Sequence, residues 1–238
     1  MNAKINKESI WKEQIVYEDN HIIVVNKLPS EIVQGDKTGD MPLSEKIKNF
    51  IKLRDNKPGN VFCGVIHRLD RPVSGLVIFA KTSKALSRFN ELFREKTIHK
   101  TYLAVVKNKP PKQSDRLIHY LTKNEKTNMS KAFSKPTGEA LKAELEYELL
   151  ASSDNYHLLK IKLFTGRHHQ IRCQLSAIGC PIKGDLKYGF NRTNEGGFIH
   201  LHSYQLNFVH PVKQEEISLE TFPISDDAVW AYFRKSIL

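Results

Sequence analysis

The sequence predicts an α+β domain, and two observations carry that prediction. Several segments alternate apolar and polar residues with the period of a strand, in the manner of antiparallel sheets with one covered face. A few others repeat their apolar residues at helical spacing and stand between the strands. With 238 residues, of which 40% are hydrophobic, the chain can bury one sizeable core without help from a cofactor.

Taken in order, residues 14–17 and 21–26 are short apolar runs separated by Glu18, Asp19 and Asn20, the pattern of a hairpin. Turn-rich residues 34–40 lead to a helix over 42–53, which places Leu43, Ile47, Phe50 and Ile51 on one face. Residues 76–80 read as a buried strand, and Ser83 as the cap of a helix in which Leu86, Phe89, Leu92 and Phe93 recur at helical spacing. A strand over 101–106 follows, and Pro110 and Pro111 break the pattern. Residues 117–133 are basic and weakly periodic, as in an exposed hairpin that could touch a phosphate backbone. Residues 141–149 alternate strictly, with Ala143, Leu145, Tyr147 and Leu149 on one face and Lys142, Glu144, Glu146 and Glu148 on the other. Residues 157–163 alternate again. Thr165 and Gly166 then open a helix with Ile171, Leu175 and Ile178 on one face, ended by Gly179. A final strand over 204–209 precedes a C-terminal helix capped by Ser225 or Asp226.

Composition narrows the function classes. No segment approaches the ~20 apolar residues of a membrane span, and the polar start, MNAKINKESIWKEQ, lacks the apolar middle of a signal peptide. A cytoplasmic protein is expected. Three cysteines, Cys63, Cys173 and Cys180, suit reduced thiols better than a disulfide framework. His169 and Cys173 lie four apart, a zinc-like spacing, but no second pair of ligands matches them, so no metal is expected. The net charge of +11 points to a polyanionic partner or to a solvated basic surface.

The stretch IHRLDRPVSGLVIFA, residues 66–80, sets Asp70 between Leu69 and Arg71, with Arg68 one residue further back, and then enters an apolar run. Nearby cations favour the charged form of a carboxyl, so Asp70 makes a poor general acid. On these residues alone it is a nucleophile or half of an ion pair, the ion pair being the commoner case. A second unusual passage, FTGRHHQIRCQL, gathers Arg167, His168, His169 and Arg172 at an expected helix start, where an anion would be welcome.

Together HRLD-x-x-x-SGL, the Lys100-Thr101-Tyr102-Leu103-Ala104 strand, TGR-x-HQIR and the later LH-x-x-x-L-x-F-x-HP resemble the RluA-type pseudouridine synthases, in family order from about residue 14 to residue 223. The resemblance implies a central mixed, mostly antiparallel sheet flanked by helices and loops around a catalytic cleft. It implies an enzyme that isomerises a uridine in structured ribosomal or transfer RNA, with RNA as its partner, no cofactor, no membrane, and a monomeric state. Asp70 falls on the family's nucleophile, Tyr102 on the tyrosine that faces the base, and Arg172 on the arginine that pairs with the nucleophile. Arg68 would fill the stack vacated when the uridine is extruded. Arg167, His169 and Ile171 are expected at the RNA or the base, with His67, whose plainer reading is a structural hydrogen bond at the turn. Arg71 reads as an RNA-facing or solvated charge, and Asp185 in its GD-x-x-YG turn as a structural cap. The first strand begins by about residue 14, so one catalytic domain over 1–238 is expected, without a separate N-terminal RNA-binding domain.

Departures from the family pattern fall at Glu31, where a glycine is usual, at His168, where a small hydroxyl residue is usual, and at Cys173 and Gln174, in place of Val and His. Two other readings compete. One is a non-catalytic RNA-binding protein on the same fold; the other is a glycoside or nucleoside hydrolase pairing Asp70 with a second acid.

Overall fold

The computed structural model describes residues 13–225 and 227–237. Its elements are β1 (Ile15–Glu18), β2 (Ile22–Lys27), α1 (Leu43–Arg54), β3 (Gly64–Val65), β4 (Ser74–Ala80), α2 (Ser83–Glu95), β5 (His99–Val106), β6 (Ser114–Asn124), β7 (Met129–Phe133), β8 (Leu141–Ser152), β9 (His157–Leu163), α3 (Gln170–Ala177), β10 (Leu201–Val209), β11 (Glu216–Glu220) and α4 (Ala228–Arg234). One sheet runs β1-β2-β4-β10-β5-β9-β8-β6-β7, with β11 added to β10 and β3 to β4. Every pairing is antiparallel except β4 with β10, which joins the two halves in parallel through His202 opposite Ser74 and Ser203 opposite Gly75.

The apolar patterns explain which half is covered by what. In β2 and β4 both faces are apolar, and both are buried. Ile22, Val24, Leu76 and Ile78 pack with Phe89 of α2, while Ile23, Val25, Val77 and Phe79 meet Leu43, Ile47 and Ile51 of α1. In the other half Ala104, Leu145, Leu159 and Ile161 pack with Ile171 and Leu175 of α3. The opposite face presents Leu103, Val105 and Leu158 to Trp230 and Phe233 of α4. Leu69, just before Asp70, packs into both the α1 and α3 clusters, so the HRLD loop bridges the two halves on that face.

The parallel junction is tight. Gly75 has a φ of +113°, and a Cβ there would lie 2.3 Å from the Ser203 carbonyl oxygen, so only glycine fits. Beside it, His202 Nε2 faces the Thr221 carbonyl oxygen at 2.8 Å and Nδ1 faces Ser74 Oγ at 2.8 Å. A carbonyl only accepts, so Nε2 carries the proton and Ser74 donates to Nδ1.

Several expected boundaries move for local reasons. Thr82, not Ser83, caps α2, its side chain accepting from the Ala85 N–H. Residues 166–169 are not helical: His169 takes a left-handed φ of +50°, and α3 starts only at Gln170. Asp227 caps α4 by accepting from Val229 and Trp230, while Ser225 accepts from the Asp227 N–H and Asp226 lies outside the described residues. The last strand of the chain is β11 rather than the 204–209 segment, which is part of β10. The polar start of the chain also lies largely outside the described residues.

Candidate active site

Asp70 sits in the loop between β3 and β4, in a turn closed by the Val73 N–H donating to its carbonyl at 3.0 Å. The loop is held from behind by Lys27. This fully buried ammonium donates to the carbonyls of Leu28 and Glu31, each at 2.8 Å, and of Arg71 at 3.2 Å. Burial pushes Lys27 down to about 7. The Ser30 N–H also donates to the Arg71 carbonyl, with Ser30 in a left-handed conformation. At the departure from the family pattern, the Glu31 carboxylate accepts from the Leu28 N–H and from Lys46, closing the same loop by side-chain bonds.

The arginines near Asp70 in sequence do not pair with it. Arg71 turns away and binds Asp40 at 2.7 Å and Thr38 at 2.8 Å. Arg68 is exposed, with no hydrogen bond or ion pair among the described residues. The partner is Arg172 in α3, whose Nη1 lies 2.9 Å from Asp70 Oδ2. Arg172 is itself gripped by Asp185, which takes Nε at 2.7 Å and Nη2 at 2.8 Å, and it lies 5.1 Å over the Tyr188 ring. Burial alone would pull the guanidinium down, yet Asp185 and then Asp70 hold it above its ordinary value. Asp185 is therefore no cap: its side chain makes no capping bond, and at 1% exposure it serves Arg172.

Tyr102 on β5 is buried and lines the same cleft as Asp70, of about 440 Å³, with Val73, Leu163, Ile171 and Leu201 as apolar wall. Burial pushes the Tyr102 phenol up to about 12, so it stays a neutral hydroxyl. His67 stands at the edge of this cleft with Nε2 accepting from the Ile78 N–H at 3.1 Å and its ring stacked on Phe93. Burial pushes it down to about 3, which keeps that nitrogen free to accept. Arg167 is exposed, its Nε donating to the Lys142 carbonyl, and Lys100 rests 5.2 Å over the Phe93 ring. Neither has an acidic partner among the described residues. A second hollow of about 470 Å³ adjoins Asp70 on the side of Lys123, Asn128 and Lys187, near the β6–β7 hairpin.

The zinc-like pair is otherwise engaged. Cys173 donates its thiol to the Ser130 carbonyl, and His169 faces Tyr188 and Asp70. Among the described residues no group of three or more His, Cys, Asp or Glu could hold a metal ion, and no helix is long and apolar enough to cross a membrane. The sequence reading missed Lys27, took Asp185 for a cap rather than the grip on Arg172, and did not place Tyr188 or Ser130. Only the GD-x-x-YG turn offered a signal, through an acid and a tyrosine close behind the HQIR helix.

A carboxylate gripped by a buried arginine faces a tyrosine across an apolar cleft with cations lacking acidic partners at its mouth, an arrangement suited to chemistry on an anionic polymer. Residues 21–177 match the family model of the RNA pseudouridylate synthases. A ribosomal large subunit pseudouridine synthase C of Rickettsia bellii is 31% identical over 215 residues, 90% of this chain and 69% of the relative. A tRNA pseudouridine synthase C of Haemophilus influenzae is 31% identical over 226 residues, 87% of this chain and 91% of the relative. The solved structure of human RNA Pseudouridylate Synthase Domain Containing 4 shares the fold, with a TM-score of 0.77 at 20% identity over 96% of this chain and 94% of that one. The chain belongs to the RNA pseudouridylate synthase family and is of the RluA type.

Proposed function

We propose that this protein converts one uridine of a structured ribosomal or transfer RNA to pseudouridine in the cytoplasm, with Asp70 as the group that acts on the nucleotide. The observation that carries the reading is the meeting of Asp70, Tyr102 and Arg172 in one cleft, although Asp70 and Arg172 are 102 residues apart in the chain. The reaction breaks the bond from uracil N1 to C1′, turns the base and joins C5 to C1′, so it needs no redox partner or group donor. Addition of Asp70 to C1′ or to uracil C6, or removal of a sugar proton, makes one common demand: a carboxylate oxygen free to approach the nucleotide. Oδ2 is taken by Arg172, while Oδ1 accepts no hydrogen bond among the described residues.

Tyr102 supplies a flat face and a neutral hydroxyl to the uracil, and Ile171 and Val73 supply apolar wall. Extrusion of the uridine costs roughly a few kcal/mol. Arg68, exposed and unpaired beside the cleft, takes the vacated place in the stack. Lys100 and Arg167 take flanking phosphates. The hydrolase reading would need Asp185 as its second acid. That carboxyl is 1% exposed and held on both oxygens by Arg172, so it cannot deliver a proton to a leaving group.

Mapping pseudouridine in ribosomal and transfer RNA from cells with and without the gene tests the proposal. One or a few sites should revert to uridine in the deletion and return with the wild-type gene. Unchanged maps in both pools would refute it.

A further inference from the structure

Behind Asp70 a chain of polar groups runs back to the β6–β7 hairpin. Ser130, at the start of β7, donates its backbone N–H to Tyr188 Oη at 2.8 Å. Tyr188 Oη lies 2.9 Å from His169 Nδ1, and His169 Nε2 lies 3.5 Å from Asp70 Oδ2. Ser130, Tyr188 and His169 are buried while Asp70 is partly exposed, and the His169 ring is stacked at 3.8 Å on His168. His168 is tied to the hairpin as well, since the Ser130 hydroxyl donates to its carbonyl at 2.7 Å. His169 adopts its left-handed backbone without being glycine, a conformation that costs about 1–3 kcal/mol and is kept where surrounding structure demands it.

Donor and acceptor rules fix the protons along this chain. The Ser130 amide can only donate, so the Tyr188 oxygen accepts there and its own proton is free for Nδ1. A carboxylate can only accept, so a bare Nε2 facing Asp70 would set a lone pair against an anion. The arrangement that satisfies every group has Nδ1 bare and Nε2 protonated. Burial holds the ring neutral, its pKa falling to about 3.

We infer that His169 is a positioning residue for Asp70: its Nε2 stands 3.5 Å from the oxygen already bound by Arg172 and holds that carboxylate by a longer electrostatic contact, in the tautomer set by Tyr188 and the hairpin amide. One hydrogen bond from Arg172 and the longer N–H contact from His169 on Oδ2 restrain rotation of the carboxylate and leave Oδ1 turned to the nucleotide. The inference rests on the reading that Asp70 acts on the nucleotide, and it gives His169 a different part from direct RNA contact.

The test has two arms. In the full-length protein without RNA, long-range 1H–15N correlation of the histidine rings should show His169 with Nε2 protonated and Nδ1 bare, and Tyr188→Phe should give a mixture of tautomers. In single-turnover assays with RNA tritiated at uridine C5, His169→Leu should slow label release by up to about 100-fold, the effect of roughly 1 Å of misplacement. RNA retention on filters should stay within about twofold, and His169→Gln, which can present an N–H near the same place, should recover most of the rate. An Nδ1-protonated ring overturns the inference, even in an inactive protein. So does a wild-type rate in His169→Leu, or a loss of RNA binding as large as the loss of rate. No release by the wild type together with the Nε2–H tautomer would instead strike the proposed reaction.

Discussion

Asp185→Asn is the change that probes the support of the site without touching the cleft surface. Asp185 is 1% exposed and Arg172 4% exposed, and two of the three bonds that fix the guanidinium end on Asp185. Breaking a buried pair by removing one charge costs about 3–5 kcal/mol. Here Arg172 keeps Asp70 as a counterion, which puts the expected loss near the lower figure, about 3 kcal/mol. In a domain of this size that lowers the melting temperature by roughly 6–12 °C, so the variant should remain folded at room temperature. The asparagine keeps one acceptor but turns an NH2 group toward a guanidinium that can only donate, so the Arg172 fork rotates away and Asp70 loses its fixed partner. A misplacement of about 1 Å predicts a rate roughly 100-fold lower. RNA affinity should hold, because both residues are buried and the binding is carried by exposed cations. Thermal melts and single-turnover label release, both with filter retention of RNA as a control, give the answer. A melting point and rate equal to wild type would refute the reasoning, as would a loss of rate explained wholly by lost RNA binding.

Two further outcomes are expected. Lys100, set over Phe93 at the cleft mouth without an acidic partner, should contribute a phosphate contact. Lys100→Ala should then flatten the slope of log affinity against log salt by about 0.7, and an unchanged slope would remove it from the interface. Burial pushes His67, His169 and His202 from 6.5 down to about 3 in the fold. The unfolded chain therefore binds more protons between those values, and stability falls as pH drops from about 6.5 toward 3, at up to roughly 4 kcal/mol per pH unit from the three rings together. Denaturant titrations across that window should show the fall, and His202→Gln should shallow it; stability flat from pH 6.5 to 4 would contradict the assigned ring states.

How far the sequence carried the account depended on whether a feature was local. β2 and β4 were legible because both their faces are apolar, and β8 because its charges alternate with its core residues. The HRLD and HQIR passages stood out as charge without an evident purpose. What they bind was not legible. Arg71, three residues before the SGL strand, belongs to Asp40, and Asp70 belongs to an arginine 102 residues away. No periodicity encodes such a pairing, and the same is true of Asp185, whose turn looks like any capped turn until Arg172 is seen above it. The expected helix from Thr165 failed because His169 takes a left-handed backbone, which the apolar spacing does not signal, and delays the helix start until Gln170. β3, two residues long, and β11, five, are held by their partners β4 and β10 rather than by a pattern of their own. The shift from Ser83 to Thr82 at the α2 cap is a choice between two equivalent hydroxyls, settled by which one reaches the Ala85 N–H.

The central claim is that Asp70 does the chemistry while the basic surface does the binding. Joining C5 to C1′ expels the hydrogen on C5, so RNA tritiated at that position must lose label to water with each turnover. With such RNA the wild type should release label, Asp70→Asn should release none, and both should retain the RNA on filters equally, since phosphate contacts from Lys and Arg dominate affinity. Release by Asp70→Asn at the wild-type rate would contradict the account.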